Sequence, residues 1–141
     1  MTMPSPRILG GLLTLACLLA LGIRLMPLHL PPLPEAAPVL PEGPQLVFGY
    51  ATLANPVVRY AVVGRAVPSE SARLEGWERA GRDLLLAPGA HVAGRVFSVS
   101  PAELRRLDRY EQAGPRYRRQ ALWLEDGRLA WVYTMLIVPP P

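Results

Sequence analysis

Seven prolines lie between residues 27 and 44, and they limit what this chain can fold into more than any other feature. Proline fixes φ and has no amide hydrogen, so a stretch this rich in proline forms neither a regular helix nor a central strand. We predict a semi-rigid linker of polyproline II character at 27–44, with a ligand for a proline-binding partner as the alternative. The linker leaves residues 45–138 for a folded domain, followed by a proline tail at 139–141.

An apolar segment precedes the linker, and Arg24 is the only charged residue between positions 8 and 26. As a helix, 8–26 would be about 28 Å long, close to the roughly 30 Å of a bilayer's hydrocarbon core. We therefore predict that residues 1–26 form a transmembrane signal anchor; a signal peptide cleaved near 20–22 is the alternative, giving a secreted domain. Arg7 and the amino terminus precede the segment and Arg24 lies near its other end, so the flanking charges are nearly balanced. Their small difference predicts that the folded domain lies on the extracytoplasmic side.

The composition excludes several classes of site. The net charge is +4, but the arginines are scattered without a dense basic tract, so nucleic-acid binding has no support. The only cysteine, Cys17, lies in the apolar segment, which excludes a disulfide framework, a cysteine-based zinc site and a thiol nucleophile in the folded domain. His29 and His91 are far apart and lack metal-ligand spacing, and Ser69 and Ser71 lack the context of a hydrolase nucleophile. We expect no metal and no cofactor.

The domain after the linker is rich in predicted strands. Apolar segments bounded by turn residues predict strands at 46–50, 71–77, 82–86, 92–99, 117–125 and 129–138. Pro88 with Gly89 predicts a turn, and Asp126 with Gly127 predicts a hairpin between the last two strands. Asn55 with Pro56 predicts a helix start, and a short helix or turn at 57–63 is expected after the first strand. These elements indicate an α+β domain, a small mixed β-barrel or sheet with one or two short helices.

The best-specified element is a helix over residues 101–110. Ser100 is a natural N-cap, Pro101 suits the first helical position, and Glu103 completes a capping box. The helical pattern continues through Glu111.

One face of this helix breaks the usual pattern of apolar and polar residues. Leu104, Leu107, Asp108 and Glu111 share that face, while the arginines at 105, 106 and 109 are expected to face water. Two carboxylates on an apolar stripe mark a functional or strained site, or are hydrogen-bonded at the helix end.

Five segments, taken in order, resemble motifs of the gamma-glutamylcyclotransferase-like family. They are 47–53 (V-F-x-Y-G-[ST]-L), 72–77 (A-x-L-x-G-[YW]), 92–97 (V-x-G-x-[LV]-[YF]), 107–111 with 117–119 (L-D-x-[YF]-E … Y-x-R), and 130–133 (A-x-x-Y). The resemblance covers about residues 46 to 134. It implies a small mixed barrel with a cavity between the 50–53 loop and the end of the helix.

The resemblance also implies a set of site residues. Glu111 matches the family's catalytic acid and base. The substrate's glutamyl head would bind, largely through backbone amides, at the matching loop positions Tyr50, Ala51, Thr52 and Leu53. Three further side chains extend this assignment: Tyr117 is expected to line the cavity or pack the sheet, and Arg118 and Arg119 are either surface charges or anion ligands.

The reaction that the resemblance implies is cleavage of a small-molecule gamma-glutamyl amide. The substrate's α-amino group attacks its own γ-carbonyl and releases 5-oxoproline and an amine, with positioning lowering much of the barrier. One carboxyl can move both protons if desolvation raises its pKa, and Glu111 lies on the apolar face. The motif's loop glycine is replaced by Ala51, which favours an alternative: a catalytically silent, membrane-tethered domain that binds a glutamyl-like or amino-acid ligand. Neither the leaving amine nor the oligomeric state follows from the sequence.

Overall fold

The structure is a computed structural model that describes residues 30–136. The predicted anchor at 8–26 and the tail at 139–141 lie outside the described residues. Within 30–136, none of the helices has both the length and the apolar character needed to cross a membrane.

The domain is a five-stranded mixed sheet with two α-helices, as expected for its α+β class. In chain order the elements are β1 (Gln45–Gly49), a one-turn 3₁₀ helix (Thr52–Ala54), α1 (Pro56–Val63), β2 (Ser69–Ala80), β3 (Asp83–Val99), α2 (Pro101–Glu111), β4 (Tyr117–Trp123) and β5 (Leu129–Met135).

The strand order is β2-β3-β1-β5-β4, and β1 pairs in parallel with β5 while the other neighbours are antiparallel. The sheet curls back on itself, because an isolated bridge joins Leu74 of edge strand β2 to Leu124 beyond edge strand β4.

The sheet is buried on both faces. Val47 and Phe48 are neighbours in β1, and successive strand residues point to opposite faces. Val47 belongs to the cluster that includes Leu104 and Leu107 of α2, whereas Phe48 packs with the second cluster, which includes Leu74. This arrangement confirms β1 as a buried strand and places the end of β1 between the two cores.

Both helices begin as the sequence predicts. The side chain of Asn55 accepts a hydrogen bond from the Val57 amide at 2.8 Å, and α1 ends at Gly64, which has φ +89°. At α2, the amide of Glu103 donates to Ser100 Oγ, and the amide of Ser100 donates to the Glu103 carboxylate. These caps fix the direction in which α2 carries Glu111.

The turn predicted at Pro88 and Gly89 is wrong, because β3 runs through both residues. The hairpin instead turns between Ala80 and Asp83. Glu75 pairs with His91 but Trp77 pairs with Leu86, so residues 87–90 face Gly76 alone and form a bulge. Gly76 and Gly89 have φ +78° and +85°, so these glycines serve a bulge within one hairpin, not a chain reversal.

The expectation that the helix arginines face water is also wrong. Arg105 donates to the Pro38 carbonyl at 2.9 Å, and Arg109 donates to the carbonyls of Leu30 and Pro31 at 2.9 and 2.8 Å. Arg106 donates to the carbonyl of Val63 at the end of α1.

The same contacts show how residues 30–44 of the predicted semi-rigid linker lie against the domain. Residues 30–44 form neither helix nor strand, but Leu30 and Leu40 pack against the core. Proline-rich chain has few internal partners for its carbonyls, and the arginines of α2 supply them.

Candidate active site

A cavity of about 240 Å³ opens between the end of β1, the end of α2 and the start of β4. All six side chains assigned to the site from the sequence line it, namely Tyr50, Ala51, Thr52, Leu53, Glu111 and Tyr117. The remaining lining residues are Phe48, Gly49, Arg82, Tyr110, Arg116 and Tyr133. The fold therefore brings the predicted residues together, while their chemical roles stay a prediction.

The 50–53 loop lines the cavity, and its backbone follows directly from the end of β1. Gly49 ends β1, and a Cβ on this residue would lie 2.8 Å from the backbone carbon of Leu53, so the tight return of the chain requires glycine. The first amides of a short helix have no acceptor within it. Here the turn's hydrogen bonds begin only with the amide of Ala54, which donates to the carbonyl of Ala51 at 3.1 Å.

Ala51 does not adopt the left-handed conformation that favours glycine. Its φ is −117°, outside the left-handed region in which a Cβ is strained. The requirement for glycine in this loop thus falls on Gly49 and not on position 51.

Glu111 is the last residue of α2, and its side chain is partly buried at the cavity wall. Desolvation raises the pKa of this carboxyl to about 7, and the nearby charge of Arg116 opposes the rise. No hydrogen bond or ion pair holds the carboxyl among residues 30–136. A carboxyl with these properties can both accept and deliver a proton near neutral pH.

Asp108 shares the face of α2 with Glu111 but has a different environment. It is fully buried and does not line the cavity. Its carboxylate accepts hydrogen bonds from Arg119 Nη1 at 2.9 and 3.1 Å, from Arg105 Nη1 at 3.3 Å and from the Tyr133 hydroxyl at 2.8 Å. Desolvation raises the pKa of Asp108, and these three partners oppose the rise. Asp108 is therefore a structural group of the core.

Three tyrosines form the walls with their hydroxyls already engaged. The Tyr50 hydroxyl donates to the Tyr133 carbonyl at 2.8 Å, and the Tyr117 hydroxyl donates to Asp83 Oδ1 at 3.2 Å. Burial raises the pKa of each of Tyr50, Tyr117 and Tyr133 above its ordinary value. These phenols stay neutral and shape the cavity, which leaves Glu111 as the group able to exchange protons near pH 7.

The sequence did not reveal the two cations at the cavity. Arg82 and Arg116 line it from exposed loop positions, and the Arg116 guanidinium lies 5.5 Å from the ring centroid of Tyr117. The arginines considered instead are placed elsewhere: Arg118 is exposed, and Arg119 is buried against Asp108. The only local signal for Arg116 was its position immediately before Tyr117.

Comparison with known proteins agrees with this geometry. The family described as gamma-glutamyl cyclotransferase, AIG2-like, matches residues 47–139. Comparison of the sequence with curated proteins gives no match.

Similar solved structures include two from Arabidopsis thaliana. At5g39720.1 is 22% identical with a TM-score of 0.59 and covers 77% of each chain. At3g28950.1 is 21% identical with a TM-score of 0.57, over 70% of this chain and 66% of that one.

A third solved structure, titled gamma-glutamyl cyclotransferase, is 18% identical with a TM-score of 0.55, over 67% of this chain and 68% of that one. At these identities the three structures establish the shared fold, and the sequence family is established by its match to nearly the whole folded domain. The chain belongs to the AIG2-like gamma-glutamyl cyclotransferase family, a family of cyclotransferase enzymes.

Proposed function

We propose that this protein cleaves a gamma-glutamyl amide by cyclisation, releasing 5-oxoproline and an amine, with Glu111 as general acid and base. The observation that carries the proposal is the Glu111 carboxyl, which has a pKa of about 7 and no protein partner among the described residues, at the cavity lined by the 50–53 loop. A catalytic carboxyl works best when its pKa lies near the working pH.

The reaction uses groups that the cavity provides. The Glu111 carboxylate accepts a proton from the substrate's α-ammonium, and because its pKa is raised to about 7 it is a stronger base for this transfer than an ordinary carboxylate. The freed amine attacks the γ-carbonyl carbon, and a C–N bond forms while negative charge develops on the carbonyl oxygen. Amides of Ala51, Thr52 and Leu53 stabilise this oxyanion. Glu111 then delivers its proton to the leaving nitrogen as the original amide C–N bond breaks. The Glu111 carboxylate takes the second proton from the ring nitrogen and passes it to the released amine, which departs as an ammonium ion.

The alternative of a catalytically silent binding domain rested on Ala51. With φ at −117°, Ala51 lies outside the left-handed region that would favour glycine, so no specific observation favours that alternative over the enzyme. The experiment below still separates the two, since a binding domain would release no 5-oxoproline.

The same proposal includes attachment to a membrane through residues 8–26. The support is the sequence alone, in which Arg24 is the only charge of that segment. Carbonate extraction of membranes from expressing cells tests it. Full-length protein in the pellet supports the anchor, and a soluble, shortened chain would instead support a cleaved signal peptide.

The test of activity uses the purified full-length chain in detergent. It is incubated with gamma-glutamyl amino acids and gamma-glutamyl alkylamines, and 5-oxoproline is measured by chromatography. Glu111→Gln is expected to fold and to lose release by about 100-fold or more. Glu78→Gln, an exposed position on β2, is the matched control and should retain activity. Absence of release from every amide, or equal release by Glu111→Gln, would contradict the proposal.

A further inference from the structure

Arg59 on α1 is a buried cation that the proposed chemistry does not use. Its side chain is 3% exposed, and no carboxylate pairs with it among the described residues. Arg95 is the neighbouring charge, and it has the same sign. Because burying an unpaired cation is costly, the position needs a compensating set of contacts.

Two of those contacts are with backbone carbonyls at the end of the 50–53 loop, and two are with side chains. Arg59 Nη1 donates to the carbonyls of Leu53 and Ala54 at 2.9 and 2.8 Å. Arg59 Nη2 donates to Ser69 Oγ at 2.9 Å, and the guanidinium lies 5.3 Å from the ring centroid of Phe97. The guanidinium therefore holds two successive carbonyls at the end of the loop that Gly49 begins.

These hydrogen bonds hold the loop at its C-terminal end. The amides of Ala54 and Asn55 donate inward, to the carbonyls of Ala51 and Thr52. With Arg59 on the next two carbonyls, each polar backbone group at the exit of the turn has a partner. A planar guanidinium on two carbonyls restricts rotation of their peptide planes, and charged hydrogen bonds are the stronger kind.

We propose that Arg59 is a positioning residue for the 50–53 loop, holding its amides in the orientation that stabilises the oxyanion during cyclisation. The inference rests on the proposed function of that loop. Arg59 does not line the cavity, so it acts through the backbone. Oxyanion stabilisation is sensitive to donor position, so loosening the loop lowers kcat more than it raises KM.

The test compares Arg59→Met and Arg59→Lys with Arg106→Met. Arg106 also donates to a backbone carbonyl, that of Val63, but at the far end of α1. We expect Arg59→Met to lower kcat by about 10- to 100-fold, with the low-pH limb of kcat/KM still near pH 7, and Arg59→Lys to recover part of the loss. Arg106→Met should lower the melting temperature and leave kcat, measured well below melting, within about twofold of the wild type.

A second measurement does not depend on activity, and it uses the conservative variant Arg59→Lys. In NMR spectra of the unliganded protein, Arg59→Lys should displace the amide resonances of Ala51, Thr52 and Leu53, and Arg106→Met should leave them in place. Wild-type protein without cyclotransferase activity would refute the proposed function, and the NMR comparison would still decide the role of Arg59. Unchanged loop resonances in Arg59→Lys, or equal kcat in Arg59→Met and Arg106→Met, would overturn the inference.

Discussion

The hydroxyl of Tyr133 donates a 2.8 Å hydrogen bond to Oδ1 of Asp108, which joins β5 to α2 behind the cavity. Both side chains are buried, and Tyr133 lines the cavity while Asp108 does not. The carbonyl of Tyr133 also accepts the hydroxyl of Tyr50. One chain of contacts thus runs from the core carboxylate to the wall of the site.

Asp108→Ala should therefore destabilise the fold severely. It leaves Arg119, whose side chain is 1% exposed, as a buried cation without a carboxylate, and breaking such a pair costs about 3–5 kcal/mol. Tyr133→Phe removes one hydrogen bond to a charged acceptor and should cost about 1.5–3 kcal/mol. Urea unfolding measures both. Glu125→Ala, at a half-exposed ion pair, is the control and should change stability by less than about 1 kcal/mol.

Glu111→Gln should stabilise the protein at high pH. The folded-state pKa of about 7 lies above the ordinary value of 4.5, so folding favours the protonated carboxyl. Wild-type stability is then fully present below about pH 4.5 and falls as the pH rises towards 7. Glutamine does not titrate, so its advantage over the wild type should grow by up to roughly 3 kcal/mol between pH 4.5 and pH 8.

Urea unfolding at the two pH values measures this difference, with Glu78→Gln as the control for loss of an exposed carboxylate. A Glu111→Gln advantage that does not change with pH would mean that this carboxyl is not desolvated in the fold.

The pH dependence of activity should depend on Arg116. Desolvation raises the pKa of Glu111, and the positive charge of Arg116 opposes this rise. Arg116→Gln should therefore raise that pKa further. Because the base must be ionised, the low-pH limb of kcat/KM should move to higher pH, and activity at pH 6 should fall roughly threefold. Arg118→Gln, an exposed neighbour outside the cavity, should leave the limb in place. Equal movement in both variants would indicate a general charge effect.

Part of the fold and of the candidate site can be predicted from the sequence. Local signals correctly predicted β1, both helix starts and the hairpin of β4 and β5, because caps and turns are made by residues close in sequence. The family motifs predicted that Glu111 and the 50–53 loop lie at one cavity, and both line it.

The helical wheel of α2 alone could not separate Asp108 from Glu111. Their difference comes from Arg119 and Tyr133, which lie on other elements and reach Asp108 only in the folded domain.

The predictions for the arginines of α2 and for a turn at Pro88 were wrong for a related reason. A wheel shows which side of a helix a residue occupies, not which distant carbonyls will lie there. Likewise, a Pro-Gly pair signals an irregular backbone but cannot distinguish a turn from a bulge within a long hairpin.

The glycine requirement of the loop can be tested by two substitutions of opposite sense. Gly49→Ala places a Cβ 2.8 Å from the Leu53 backbone, so the loop must move and kcat/KM should fall by about 100-fold. Ala51→Gly gains nothing from access to the left-handed region, because φ is already negative, and should cost about 0.4–1 kcal/mol through a more flexible unfolded chain. Steady-state kinetics and urea unfolding measure the two effects. An active Gly49→Ala, or an Ala51→Gly more active than the wild type, would contradict this account of the loop.

The proline-rich arm at 30–44 should open when its contacts with α2 are removed. Arg109 donates to the carbonyls of Leu30 and Pro31, and losing two such bonds weakens local closure by about 1–3 kcal/mol.

Cleavage after Glu35, which is exposed in the arm, reports this opening when the full-length chain is treated with a glutamate-specific protease. Arg109→Ala should be cut there about 10- to 100-fold faster than the wild type, as followed by mass spectrometry. Arg118→Ala removes an exposed arginine from β4 and should be cut at the wild-type rate. Equal rates in all three proteins would show that Arg109 does not hold the arm, and the carbonyl contacts of Arg105 with Pro38 would then be the ones to test.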